Sequence, residues 1–260
     1  MNRTATTLSI SEQEESLLIW QSYQNDRSSK LDQFNLQTIK EHTECCVVVP
    51  VFKKTSTLAF SIKHNLSILG SHWSLRIITT QLLYEWTRTL LPEIPDHCFR
   101  IATDPALITL TRNDTLRLEH FWAALSAENL LFIDHNTIIC RPINDSYLEY
   151  DYIAPLWAAD YINPWCRFGD GAISFRHKSK MLEICQTCNT GSTLIESEDT
   201  FFSIMLRLEG QKYRLPEDHI AAEFAVQSVY HSKPFALHRA WEFHHANVIK
   251  ELLSWINYSG

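Results

Sequence analysis

Apolar residues run along this chain in two rhythms. Cys45–Phe52 (CCVVVPVF) is a continuous, β-branched apolar run, the pattern of a strand buried on both faces. Thr57–Leu69 follows with helical spacing and stops at Gly70, a residue suited to a left-handed helix cap. The alternation then repeats. Leu75–Thr79 predicts a short buried strand, Gln81–Leu91 and Leu116–Leu125 predict helices, and Asn129–Ile133 and Thr137–Cys140 predict strands. Strands alternating with helices predict a mostly parallel sheet covered on both faces. After Tyr150 the rhythm loosens: Tyr152–Pro155 and Ala172–Phe175 predict strands on either side of an aromatic loop, Leu156–Phe168. Helices are predicted over Lys178–Cys188, Glu198–Leu208, roughly Ile220–Gln227, and Ala246–Ile256. At the other end, Met1–Ile10 reads as a loose tail, Ser11-Glu12-Gln13-Glu14 as a capping box, and Glu12–Tyr23 as a helix, while the polar stretch Asn25–Thr43 starts no strand. With no repeat or low-complexity linker, the expected division is a tail and helix over residues 1–43 and one α/β domain over 44–260.

Composition narrows the function classes. The 260 residues carry 23 Lys and Arg against 30 Asp and Glu, a net charge of −7, which argues against a broad basic face for nucleic acid. No window approaches the ~18 apolar residues of a membrane span, and Met1–Leu8 lacks the apolar run of a signal peptide. The expectation is a cytoplasmic protein, with any membrane association peripheral. Seven cysteines at irregular spacings predict reduced thiols rather than a disulfide framework. Cys185-x-x-Cys188 lies in a predicted helix, and no second pair has zinc-ribbon spacing. Neither G-x-x-x-x-G-K nor G-x-G-x-x-G occurs, which argues against nucleotide kinases and dinucleotide-dependent dehydrogenases. The excess is aromatic and imidazole: 8 Trp, 9 Tyr, 13 Phe and 12 His.

Four constellations can carry chemistry. Asp134-His135-Asn136 directly follows the strand Asn129–Ile133, and ligands of open α/β sheets bind beyond the carboxyl ends of strands. Asp134 and Asn136 are either oxygen ligands for a divalent cation or the formers of a turn. Gly169-Asp170-Gly171 precedes a strand and is either a backbone cradle for a sugar or phosphate or a tight turn. Glu198-Asp199 opens a helix; carboxylates there suit the helix dipole, or Asp199 is a general base. The last is a histidine-rich stretch with His231, His238, His244 and His245 beside Lys233, Arg239 and Trp241. Its imidazoles are metal ligands or ordinary partly buried histidines, and its cations suit a diphosphate leaving group.

In order, Val47–Phe52, "LGSHWSL" (Leu69–Leu75), "FWAALSAENLLFIDHNTIIC" (Phe121–Cys140), "YDYIAPLW" (Tyr150–Trp157), "FGDGAISFRHKSKML" (Phe168–Leu182), "SEDTFFS" (Ser197–Ser203) and "KPFALHRAW" (Lys233–Trp241) form one series. Over about residues 45–245 the chain resembles the DUF5672 group of bacterial glycosyltransferases. The resemblance implies a GT-A-like, Rossmann-type α/β sandwich with a mostly parallel sheet, here with an N-terminal helical extension. It implies transfer of a sugar from a nucleotide-diphosphate donor to a glycan or glycolipid acceptor, in surface polysaccharide synthesis. Val49, Pro50, Phe52, Asp134, His135, Asn136, Gly169, Asp170, Gly171, Lys233 and Arg239 would then bind donor. Asp134, Asn136 and His238 would hold a divalent metal, Mn or Mg; Asp199, with Glu198, would be catalytic; Trp157, Tyr161, Trp165 and Trp241 would meet the acceptor, with Phe168 in the same aromatic loop. Three stretches depart from the family pattern. Asn136 stands where an Asp is expected, Asp170-Gly171-Ala172 replaces Asn-Gly-Gly, and Gln227 replaces a Glu. These departures keep open a degenerate relative that binds a nucleotide sugar or glycan without turnover.

Overall fold

The apolar run after residue 44 is strand β1 (Cys45–Val51), and its side chains divide between two cores. Val47, Val49 and Val51 enter one; Cys46 and Val48 enter the other. This is the period of two that a strand imposes, and it explains why the run needs no polar positions. The computed structural model describes residues 7–101, 111–158, 166–188, 197–209 and 212–256.

The main sheet has the order β3 (Phe99–Ile101), β2 (Trp73–Thr79), β1, β4 (Asn129–Ile133), β7 (Ile173–His177), β6 (Tyr152–Ile153). The first four are mutually parallel, and β7 runs antiparallel to both its neighbours. The sheet is therefore mostly parallel, as the alternation predicts, with one reversed strand. A small second sheet has the order β5 (Thr137–Ile139), β9 (Ala236–His238), β8 (Ala225–Val226).

Helices cover both faces. Helix α2 (Leu58–Leu69) and helix α9 (Ala246–Ser254) lie over one core, and α6 (Lys178–Thr187) and α7 (Glu198–Leu208) over the other. Gly70 caps α2 with φ of 83°, a backbone region that glycine enters without a Cβ clash. Helix α1 spans Ile10–Leu31 and buries Trp20 against Trp241, ring centroids 4.6 Å apart. Its capping box is Ser9 with Glu12, two residues before the predicted one, and the helix runs to Leu31, past its predicted end at Tyr23.

Three expectations need correction. The helix predicted over Leu116–Leu125 is two short ones, α4 (Arg112–Leu116) and α5 (Glu119–Ala123), where the Trp122 indole donates to the Leu116 carbonyl at 2.8 Å. The helix predicted near Ile220–Gln227 is α8 (Asp218–Phe224), after which the chain straightens into β8. Strands β3 and β9 were not anticipated. All seven cysteines are free thiols, and burial pushes Cys46 up to about 11 and Cys185 up to about 12. Among the described residues, no helix is long and apolar enough to cross a membrane.

Candidate functional site

The carboxyl ends of β1 and β4 open into a cavity of about 280 Å³ lined by Pro50, Val51, Phe52, Lys53, Arg112, Asp134 and His135. Four predicted donor residues thus share one space. Val49 does not join them: it is 1 % exposed and belongs to the core, because its side chain falls on the sheet face rather than the strand end.

Asp134 closes the turn and at the same time faces His238. Oδ1 accepts the Asn136 backbone N–H at 2.7 Å, closing the turn. Oδ2 stands 3.5 Å from His238 Nε2. The turn is anchored from α2, where the Ser61 hydroxyl donates to the Asp134 carbonyl at 2.6 Å and Asn65 Nδ2 to the Thr137 carbonyl at 3.0 Å. His238 arrives through the small sheet, in which β9 pairs His238 with Thr137. Its Nδ1 meets Asp170 Oδ2 at 2.5 Å, with Gln227 Nε2 at 3.4 Å from the same nitrogen. Asp170 spends its other oxygen on the Ala172 N–H at 2.7 Å. One imidazole therefore lies between two carboxylates. Burial by itself lowers a histidine, but Asp170 and Asp134 together hold His238 up to about 10. Burial raises Asp134, yet the His238 charge outweighs it and keeps the carboxyl well below the usual range.

The predicted metal set is not assembled as expected. The Asn136 amide turns to His135 Nε2 at 3.1 Å instead of toward His238. Among the described residues, no group of three or more His, Cys, Asp or Glu is placed to hold a metal. What remains is a pair: Asp134, and the buried His238 Nε2, which has no hydrogen-bond partner. The carboxylate is a donor that suits Mn or Mg, while the imidazole would serve as a ligand only after losing the proton that Asp134 and Asp170 favour on it.

A second cavity, of about 480 Å³, is lined by Trp157, Cys166, Asp199, Thr200, Gln227 and Arg239 among others. Asp199 opens α7, half-buried, and Oδ1 accepts the Thr200 N–H at 2.8 Å. Burial and the adjacent Glu198 charge raise its pKa, the direction a general base at neutral pH requires. Arg239 has φ of 46° and pairs with Glu242. Gly169 lets Trp157 lie flat against the backbone: a Cβ there would stand 2.8 Å from Trp157 Cη2.

Several predicted residues are elsewhere. Glu198 is wholly buried, its two oxygens bound by Arg176 at 2.8 and 3.2 Å, so it faces no open space. Trp241 is 8 % exposed and packs on Trp20. Lys233 stacks its ammonium 4.3 Å from the Trp255 ring centre and lines neither cavity. Phe168 is buried against Tyr152, with centroids 5.8 Å apart. Tyr161 and Trp165 lie outside the described residues.

Two cations went unnoticed in the sequence. Lys53 had a signal, since it follows β1 directly. Arg112 had none; its Nη2 donates to the Gly171 carbonyl and lies 3.7 Å from Glu198 Oε1.

Fold and site define an open α/β sheet protein with a polar cleft at the carboxyl edge of its parallel strands. The chain belongs to the DUF5672 family, described as a protein family of unknown function, which matches residues 107–238, just over half of its length. No curated protein matches it in sequence. Among solved structures it is similar to the apo form of the glycosyltransferase GlyE from Streptococcus pneumoniae TIGR4, at 11 % identity and a TM-score of 0.45 over 84 % of this chain and 65 % of that one. It is also similar to the mannosyltransferase PcManGT from Pyrobaculum calidifontis in complex with GDP-Man and Mn2+, at 10 % identity and a TM-score of 0.44 over 79 % of this chain and 66 % of that one. The chain spans just under two thirds of the length of each. Likeness at this level assigns no residue a role.

Proposed function

We propose that this protein transfers a sugar from a nucleotide-diphosphate sugar to a hydroxyl of a glycan or glycolipid acceptor. One observation carries the reading: two cavities, one with cations and Asp134 and the other with Asp199, lie on either side of the Asp134–His238–Asp170 group, which reaches the first through Asp134 and the second through Gln227, 3.4 Å from His238 Nδ1. Ligands of open α/β sheets take the carboxyl edge, where the first cavity opens. The nucleoside packs against Pro50 and Phe52, and Lys53 and Arg112 neutralise the diphosphate. Trp157 offers an apolar face to the acceptor sugar. Asp199 accepts the proton of the acceptor hydroxyl as its oxygen bonds to the donor's anomeric carbon. The bond from that carbon to the diphosphate oxygen breaks, and the configuration inverts. A divalent ion, Mn or Mg, would be held by Asp134 and His238, and when bound it supplies charge neutralisation for the leaving diphosphate.

A second reading is favoured by the closure of that group on itself. His238 as an imidazolium already fills the space between two carboxylates, and such a protein binds a nucleotide sugar without turnover. One experiment separates the two. Thermal shift against a panel of nucleotide sugars, GDP-mannose included, identifies a donor, because a ligand bound only by the native state raises the melting point. Turnover is then followed with acceptor, with and without manganese. Asp134→Ala is expected to abolish the shift. Asp199→Asn should keep it and lower turnover on the order of 10²–10⁴-fold. In the parent protein, turnover should fall as pH drops through the raised pKa of Asp199, since only the carboxylate accepts a proton. Binding without turnover favours the second reading; no binding of any donor sinks both.

A further inference from the structure

We propose that a third cavity, outside the cleft, is a binding site for a phosphate group. It has a volume of about 570 Å³ and runs beside β6, the edge strand of the main sheet. Its wall includes Arg167, Arg207 and Arg214, with Tyr150 and Phe168, and Glu149 as the single carboxylate. In a chain of net charge −7, three guanidiniums around one cavity are a local reversal of sign.

Their pairing is incomplete. Arg167 forms an ion pair with Asp218. Arg207 and Arg214 have no carboxylate within ion-pair distance among the described residues. Arg207 sits in the last turn of α7, where the helix dipole also welcomes a cation; Arg214 has no such role. Among the residues lining the cavity, Arg207 and Arg214 are thus the cations without an ion pair, and a phosphate group, at about −1.5 to −2, can draw on both together.

The arginines are also held in place. Arg214 exchanges two backbone hydrogen bonds with Asp151 at the start of β6: its carbonyl accepts the Asp151 N–H at 2.9 Å, and its N–H donates to Asp151 Oδ2 at 2.9 Å. Arg167 accepts the Trp157 N–H at 3.0 Å beyond the other end of the strand. Two of the three side chains thus spring from backbone fixed at the sheet edge, which limits where their guanidiniums can reach. The cavity neighbours the cleft. Cys166 lines one and Arg167 the other, and α7 carries Asp199 at its first turn and Arg207 about 12 Å further along.

The probe is pyrophosphate, titrated calorimetrically into the full chain. Arg112→Gln controls for diphosphate captured in the cleft. Binding weakened at least tenfold by Arg207→Gln and by Arg214→Gln, but kept in Arg112→Gln, is the expected result. Both side chains reach solvent, and circular dichroism checks the fold. Arg214→Lys, which keeps charge but loses the fork, should fall between parent and Gln variant. Co-sedimentation with phosphatidylglycerol vesicles, against phosphatidylcholine alone, distinguishes a lipid headgroup from a soluble phosphate ester, by whether the same variants release the protein. The proposal is overturned by the absence of binding in both arms, by binding that the arginine variants leave unchanged, or by loss confined to Arg112→Gln.

Discussion

Two buried charged groups lie on either side of Gly171, and they are built differently. Arg176 and Glu198 are both 0 % exposed and joined by two hydrogen bonds. The guanidinium also donates to Ser174 Oγ at 2.8 Å and sits within 4.5–5.7 Å of the ring centres of Phe132, Tyr152, Phe202 and Trp122. Both Glu198 oxygens and three guanidinium N–H groups are used, and neither residue lines any of the three cavities described. Asp134, His238 and Asp170 form the other group. Here Asp134 lines a cavity, and His238 Nε2 is buried without a hydrogen-bond partner. The first group is sealed in the core; the second, although its ion pairs close on themselves, reaches a cavity through Asp134. Glu198 and Asp199 repeat the lesson within two residues, one turned into the core and its neighbour lining the cleft.

The largest effect expected from breaking this contrast is at Arg176. Arg176→Ala leaves Glu198 buried with only Arg112 at 3.7 Å, and stranding a buried charge costs about 3–5 kcal/mol. For a chain of this size that lowers the melting temperature on the order of 10 °C. Arg176→Met combined with Glu198→Leu should recover most of the loss, because apolar residues can replace a buried ion pair without a desolvation cost, and it should leave donor binding intact. A double variant as unstable as the single one, or one that folds but binds no donor, would show that the pair does more than specify packing.

A second test contrasts two buried histidines. His64 is 0 % exposed like the carboxylate-bound groups, but it faces a carbonyl, Ile139 O at 2.9 Å, and burial with the Arg27 charge pushes it down to about 4. Its folded pKa lies below the unfolded value, so the native state favours the neutral ring. Stability is complete above about pH 6.5 and is lost as pH falls toward 4, while the unfolded chain takes up the proton. The loss amounts to about 3 kcal/mol at most from this residue. His244, also pushed down to about 4, adds to it. His64→Gln keeps a donor for the Ile139 carbonyl, and chemical denaturation across that range should show a shallower slope. An unchanged slope would mean that His64 does not carry the effect.

How much of this was legible depends on length and locality. Strand β4 and helix α7 lie where the periodicity puts them, residue for residue, because four apolar positions in a row and an amphipathic eleven-residue stretch are strong local signals. Asp134 and Asp199 were readable as candidates for the same reason: they stand at the ends of readable elements. The placing of His238 was not. Strand β9 is three residues long and its partner Thr137 is a hundred residues earlier, so nothing near His238 marks a strand. The burial of Arg176 was equally out of reach: it follows the predicted strand Ala172–Phe175, and only Glu198, delivered by a distant helix, lets its charge lie in the core. Trp241 and Lys233 looked like site residues by proximity to His238; the turn at Ala240–Glu242 sends Trp241 to helix α1 instead.

The smallest change bears on both groups at once. Gly171 accepts Arg112 through its carbonyl, and a Cβ on it would stand 2.2 Å from Glu198 Oε1. No conformational need for glycine arises there, since its φ is not in the left-handed region; the constraint is space. Gly171→Ala forces a buried carboxylate held by two arginines to shift, and overpacking of that kind costs about 1–3 kcal/mol. Asp170, the neighbouring residue, holds His238, so the displaced backbone should also weaken donor binding several-fold. Gly171→Ala on the Glu198→Leu, Arg176→Met background no longer meets the carboxylate, although the Arg112 guanidinium still crowds the added Cβ, and the two effects should separate. If donor binding recovers there while stability remains reduced, the two groups communicate through Glu198. If neither recovers, Gly171 is needed for the backbone path of the cleft itself.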